Sequence, residues 1–261
     1  MSTLDLVEKY QPYLYNLALR LVYSAEAAKD LTQDVWVKIL NSLDSFEEKS
    51  DFKTWSYRIM MNEFLNQKRK YTQLTFDDFE NTMDNLSDEK LSNEYDEPHK
   101  QLLVNEAKVG CMMGMLLCLD VEQRAILVLG EIFEVPSSIG AEIFSISKEN
   151  FRKKLSRARA DLYNFMNNHC GLVNKNNSCK CTQKTQALIN EGYVNPSNLL
   201  FSKQCKSDLK SKLQIKANKL DETMQSIYKN LYQEHNFYEA NEKEFAHKIL
   251  KNQEIKEIFH F

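Results

Sequence analysis

Six glycines and four prolines in 261 residues leave this chain few places to turn sharply. A β-sandwich or barrel needs a turn every few residues, and turns draw on glycine and proline. A phosphate-cradling loop needs glycines that let the backbone approach the ligand. Both architectures are disfavoured, and a helical protein is favoured. Hydrophobic residues at 43% and charged residues at 27% are enough to bury a core. The length suits one large domain or two small ones. No apolar run approaches the ~18 residues that would span a bilayer, and the opening MSTLDLVEKY lacks the basic-then-apolar order of a signal peptide. A soluble cytoplasmic protein with no membrane insertion is the expectation, and its six cysteines would then stay reduced.

The net charge of -3 conceals strong local blocks. Lys53, Arg58, Lys68, Arg69 and Lys70 against Glu63 give residues 53–70 a net +4. Nine acids (Asp77, Asp78, Glu80, Asp84, Asp88, Glu89, Glu94, Asp96 and Glu97) against Lys90 and Lys100 give residues 71–100 a net -7. Lys148, Arg152, Lys153, Lys154, Arg157 and Arg159 against Glu149 give residues 148–160 a net +5. A single charge run is often only a solvated face. Two basic stripes at helical spacing favour a polyanionic partner, nucleic acid above all.

Apolar residues at three- and four-residue spacing predict a helix over residues 4–22 (Leu6, Tyr10, Leu14, Leu17, Leu21), with a kink or a later start at Pro12. Ser24 caps a second helix with an apolar face of Leu31, Val35, Ile39 and Leu43. A third runs from Phe52 to about Lys70 on Trp55, Ile59, Met60 and Phe64. Residues 72–98 have poor periodicity and many acids, and read as a linker ordered only on a partner. Two apolar helical segments follow, over residues 100–118 and 120–133. Beyond them a short helix (137–144), a tight turn and a long basic helix (148–166) make a helix-turn-helix pattern. In the long helix Phe151, Leu155, Leu162 and Phe165 face inward, while Lys148, Arg152, Lys153 and Arg159 are free to face outward.

The segment DLTQDVWVKILNSLDSFEEKSDFKTWSYRIMMNEFLNQKRK resembles region two of a bacterial RNA polymerase sigma factor of the extracytoplasmic-function group. LDVEQRAILVLGEIFEVPSSIGAEIFSISKENFRKKLSRARADL resembles region four of the same family. The two motifs stand in the family's order and cover roughly residues 4–168. The resemblance implies an all-α fold of two small helical domains, region two over residues 1–71 and region four over 100–168. An acidic linker over 72–99 joins them, and a helical extension over 169–261 follows. It implies a promoter-specificity subunit, not an enzyme, that binds core RNA polymerase and promoter DNA and helps melt the duplex. An anti-sigma factor is a possible further partner in such a family.

Carried over position by position, Asp30, Gln33, Asp34, Trp36 and Lys38 match the helix that docks on the polymerase clamp. Phe52, Trp55, Tyr57 and Arg58 match the aromatic-basic segment that assists melting; Trp55 is expected in the core and Tyr57 on an unpaired base. Asn62, Asn66, Lys68, Arg69 and Lys70 match the reader of the minus-ten element, the asparagines for base edges and the cations for phosphates. Lys148, Glu149, Asn150, Arg152, Lys153, Arg157 and Arg159 match the recognition helix for the minus-thirty-five element, and either Arg157 or Arg159 could instead pair within the domain. The family's E-E-I-A and G-T-V-K-S-R read GAEI and ENFRKK here, so base specificity does not transfer.

A minimal family member would end near residue 170, and this chain has about ninety residues more. Cys170, Cys179, Cys181 and Cys205, with His169, could supply zinc ligands, but C-x8-C-x-C is not a strong zinc spacing. Reduced, unliganded thiols and no cofactor are the expectation. Leu209, Leu213, Ile215, Leu220, Met224, Ile227, Tyr228 and Leu231 predict helix in the tail, which could pack on the preceding regions and gate them. A standalone helix-turn-helix regulator explains residues 137–166 but leaves the first motif unaccounted for. No Gly-rich phosphate loop, triad spacing or H-E-x-x-H motif supports an enzyme; a nuclease built on scattered acids would have to draw them from the linker.

Overall fold

The computed structural model describes residues 3–43, 46 and 51–201. Among these, regular structure is helical, apart from one isolated bridge between Cys170 and Cys179. Helix α1 (Thr3–Val22), α2 (Ala25–Ser42) and α3 (Phe52–Asn66) pack as a three-helix group. The apolar stripe of α1 is buried as the spacing predicts, with Leu14, Leu17 and Leu21 fully enclosed. The later start considered at Pro12 does not occur: α1 begins at Thr3 and includes Pro12. The Asn16 side-chain amide donates to the Pro12 carbonyl at 2.7 Å, and burial on both sides outweighs the one backbone bond that proline removes. Ser24 caps α2 by accepting from the Ala27 amide at 3.3 Å, and Leu31, Val35 and Ile39 turn inward. Helix α3 stops at Asn66, short of the predicted Lys70; Lys68–Lys70 form a separate 3₁₀ turn.

The acidic stretch departs most from expectation. It contains helix α4 (Phe76–Asn85), which starts with a capping box: Asp78's amide donates to Thr75 Oγ1 and Thr75's amide donates back to Asp78. Phe76 and Phe79 lie 4.7 and 6.0 Å, ring to ring, from Phe165 of a later helix. Two aromatic residues are enough to seat a short capped helix that composition alone assigns to a linker.

Helix α5 (Glu97–Leu116), capped by Asp96, leads to α6 (Val121–Leu127), capped by Asp120 and continued by a π-helical turn over Val128–Ile132. Then come α7 (Ser137–Ile143) and α8 (Lys148–His169). Gly140 on α7 faces the Phe151 ring of α8 so closely that any Cβ would collide with it. A glycine here is what lets the two helices cross tightly. Ser145 makes the turn between them with φ of 54°, and Ser147 caps α8 by accepting from the Asn150 amide at 3.1 Å. Beyond α8, helix α9 (Cys181–Asn190) packs on α5. The helices predicted after residue 206 lie outside the described residues.

Arg124 of α6 ties these pieces together. It has no exposed surface. Its guanidinium donates to the carbonyls of Leu21 (2.8 Å), Leu117 (3.1 Å), Thr72 (3.2 Å) and Leu119 (3.5 Å), so one side chain joins the end of α1, the start of the connector and the α5–α6 turn. Burial pushes its pKa down to about 10, which still leaves it charged at neutral pH. Removing the donor takes a partner from the buried Leu21 and Leu119 carbonyls, while Leu117 keeps the Leu74 amide, at ~1–3 kcal/mol for each that water cannot reach. Arg124→Met is therefore expected to lower stability by at least ~3 kcal/mol in urea unfolding, and a loss near zero would contradict this role.

Glu63 of α3 accepts from Lys38 of α2 and from Gln67. Burial pushes its carboxyl up, but the bonds from Lys38 and Gln67 outweigh it and leave the pKa below the ordinary 4.5. A carboxyl whose folded pKa is depressed stabilises the fold above its unfolded pKa, and that contribution is lost as pH falls through the folded value. Glu63→Gln is thus expected to destabilise the chain at pH 7, and the gap to wild type should close as the pH is lowered below 4.5. A gap that is constant with pH would show that the charge is not what matters.

Candidate nucleic-acid interface

Two exposed basic or polar faces and one mixed face emerge from these elements. On α2, Asp30, Gln33, Asp34 and Lys38 all point outward. Asp34 accepts from Gln67 at 2.9 Å, and Lys38 reaches Glu63, so the face is braced from α3. Trp36, expected on this face, instead sits in the bundle at 8% exposure, with its indole N–H donating to Gln11. Position 36 follows Val35 around the helix into the packed side, and a large ring there is held by burial. Val37 and Leu40 stand on the outer side at 52% and 43% exposure. Sequence reasoning passed over them because a stray apolar residue on a polar face is common; here two lie side by side next to exposed charges.

At the far end of α3, Asn62 and Asn66 are exposed and one turn apart on the same side, with Lys68, Arg69 and Lys70 exposed just beyond. This places two side-chain amides, with donors and acceptors of the kind a base edge needs, beside three exposed cations. The aromatic-basic segment is placed differently. Trp55 packs on Phe46 (4.9 Å) and Phe52 (5.6 Å), in line with its expected core role. Tyr57, the residue expected to stack on a base, is 2% exposed and meets Phe133 edge-on at 5.7 Å. Burial pushes its phenol pKa well up, and its hydroxyl has no hydrogen-bond partner among the described residues. Its neighbour Arg58 pairs with Glu142 of α7 at 2.5 Å. In this arrangement the segment is covered by the helix-turn-helix group, so stacking by Tyr57 requires that cover to lift.

On α8, Lys148, Glu149, Asn150, Arg152, Lys153 and Arg157 are exposed. Lys153 pairs with Glu149 one turn back at 2.7 Å. Arg159, expected to face outward, is turned aside: it donates to Glu131 at 2.5 and 3.1 Å, whereas Arg157 is exposed with no ion pair among the described residues. Lys154 likewise pairs with Glu122 at 3.0 Å. These two pairs hold α8 against α6 and its π-helical turn while the first two turns of α8 stay open. Phe151, Ala158 and Leu162 have no exposed surface, which fixes the rotation of the helix.

The cysteine-rich junction lines a cavity of about 450 Å³ between α4, α5, α8 and α9. Cys170, Cys179 and Cys181 are there, and Cys111, read as a core residue, joins them; Cys205 lies outside the described residues. Burial pushes all four thiols up, Cys181 to about 12, so they are held protonated at neutral pH. His169 instead faces Glu80 at 3.1 Å. Among the described residues no group of three or more His, Cys, Asp or Glu is placed to hold a metal ion. No helix among them is long and apolar enough to cross a membrane.

Comparison with known proteins now bears on this geometry. Residues 6–73, which span α1 to α3 and the basic turn, match the Sigma-70 region 2 family. The RNA polymerase sigma factor YlaC of Bacillus subtilis is 32% identical over 158 residues, 60% of this chain and 88% of that protein. A probable RNA polymerase sigma factor of Haemophilus influenzae is 27% identical over 174 residues, 63% of this chain and 89% of that one. The ECF RNA polymerase sigma factor SigE of Mycolicibacterium smegmatis is 23% identical over 171 residues, 63% of this chain and 62% of that one. A helix-turn-helix regulator alone would leave the match over residues 6–73 without a reason. The chain belongs to the RNA polymerase sigma factor family, in its extracytoplasmic-function group.

Proposed function

We propose that this chain performs sigma-factor work, promoter-specific initiation by core RNA polymerase, through three separate surfaces. The observation that carries the assignment is that the outward residues of α2, the end of α3 and the start of α8 are exposed together while the apolar faces behind them are buried. Asp30, Gln33, Asp34 and Lys38, with Val37 and Leu40 beside them, form the polymerase-docking face; Trp36 supports it from within. Asn62, Asn66, Lys68, Arg69 and Lys70 read and hold the minus-ten element. Lys148, Glu149, Asn150, Arg152, Lys153 and Arg157 enter the major groove at the minus-thirty-five element, with the earliest residues nearest the bases.

Tyr57 and Arg58 contribute to melting once the helix-turn-helix group has moved away from them. The energy for melting comes from binding: each unpaired base that stacks on an aromatic ring gains ~1–3 kcal/mol. The chain acts by binding and not by turnover, and works in the cytoplasm where polymerase and DNA meet. An anti-sigma factor would have the same exposed faces available to cover.

Variants separate the three surfaces. Gln33→Ala with Asp34→Ala is expected to weaken core-polymerase binding about tenfold, with DNA preference unchanged. Asn150→Ala is expected to relax preference at one or two upstream base pairs at ~1–3 kcal/mol each, with core binding intact. Arg152→Ala should weaken all promoters alike and flatten the salt dependence. Core affinities from fluorescence titration and initiation on a promoter pool check these outcomes. A loss of core binding with the α8 variants would contradict the division.

A further inference from the structure

Residues 72–95 are rich in acid and poor in apolar side chains, a composition that does not fold alone. Here they are ordered, and residues 86–95 are held both by the following helix α5 and by chain about a hundred positions away. Leu86, with Met83, Leu91 and Tyr95 around it, packs with Leu103 and Ala107 of α5 against Ala187, Leu188, Val194 and Leu199. Polar ties accompany this packing. Lys184, 9% exposed, donates to the Leu86 carbonyl and pairs with Asp88 at 3.2 Å. The Glu89 amide donates to the Gln183 carbonyl at 2.8 Å, and the Ser92 amide to the Gln186 side chain at 2.9 Å. Glu106 of α5 accepts from the Leu200 and Phe201 amides, the latter at 3.0 Å. The segment 181–201 is therefore bonded to both the connector and α5, backbone to backbone and through a buried cation.

The same connector joins the two DNA-facing groups, which touch each other at Arg58–Glu142 and Tyr57–Phe133. Elements named minus-ten and minus-thirty-five are ~25 base pairs apart, ~85 Å along the duplex at ~3.4 Å per pair. Two groups in contact do not reach both. Residues 72–99, fully extended at ~3.3 Å each, span ~90 Å; folded into α4 and docked under α9, they span far less.

We propose that residues 181–201 are a clasp that keeps the acidic connector folded and the two DNA-facing groups closed on each other, and that the clasp must release before the chain engages both promoter elements. This rests on the promoter-binding reading above and adds the device that restrains it. The ties described for the clasp run to the connector and to α5, with Phe201 also meeting Tyr23 at the α1–α2 junction at 6.1 Å, so the device acts through the length of the connector.

The test uses the full chain. Lys184→Glu places a carboxylate against Asp88 and the Leu86 carbonyl, and Leu188→Asp breaks the apolar side of the same contact. Amide hydrogen exchange over residues 86–95 is measured together with initiation by core polymerase at limiting chain. The expected result for both variants is exchange at least about tenfold faster in 86–95, with protection in α1–α3 retained, and about three- to tenfold more initiation than wild type. Glu106→Gln loosens the Leu200–Phe201 tie and should move both readouts the same way by less, which keeps the test open if a harsher variant fails to fold. Faster exchange with initiation unchanged or reduced overturns the proposal. Unchanged exchange in 86–95 also overturns it. No initiation by wild type or any variant overturns the promoter-binding reading along with it, an outcome distinct from failure of the clasp alone, in which wild type initiates.

Discussion

A single guanidinium, that of Arg124, sits where α1, the start of the connector and the α5–α6 turn converge, and it supplies donors to carbonyls from all three. Backbone carbonyls at the ends of helices have no partner within the helix and must find one if they are buried. Here a charged side chain from a second helical group provides it. The cost of burying that charge is met by several acceptors held at fixed positions. The consequence is that the two halves of the chain share one core instead of forming two separate bundles. Phe133, just past α6, lies over both Tyr57 and the Arg20 guanidinium, the latter at 5.5 Å, and extends the same junction.

That junction explains a tension between sequence and structure at the melting segment. The resemblance placed Tyr57 and Arg58 on a surface for DNA; the fold puts one under Phe133 and pairs the other with Glu142. An exposed ion pair such as Arg58–Glu142 contributes little, and a buried phenol without a hydrogen-bond partner is a weak point in any interface. The closed arrangement is thus held strongly at Arg124 and lightly at the surface it covers. A binding partner that favours the open form by a few kcal/mol would shift the population.

Much of the helical frame was legible because its signals are local. The Leu31, Val35 and Ile39 stripe, the Ser24 and Ser147 caps and the Ser145–Ser147 turn are each set by residues within a few positions of one another. The outward Lys148, Arg152 and Lys153 of α8 followed from Phe151 and Leu162 being inward. What could not be read depends on distant partners. Periodicity put Arg159 among the outward cations, but Glu131, 28 positions upstream, draws it into a pair, while Arg157 stays exposed. The connector looked unstructured because Leu86 and Leu91 are too sparse to make a core; their partners Leu188 and Val194 are supplied from beyond the last recognisable motif. Trp36 was assigned to a surface by resemblance of the segment, whereas its rotation about α2 carries it inward. Pro12 was given more weight than it has, since a well-buried amphipathic helix tolerates the loss of one bond.

The proposed work of this chain is to confer promoter choice on core RNA polymerase. The most direct measurement mixes the purified full chain with bacterial core polymerase on a pool of genomic promoter fragments and maps the start sites. The claim predicts starts that depend on the added chain and share two sequence elements at a fixed separation. Binding of the chain to DNA with no chain-dependent starts, and no association with core polymerase even at high concentration, would contradict it.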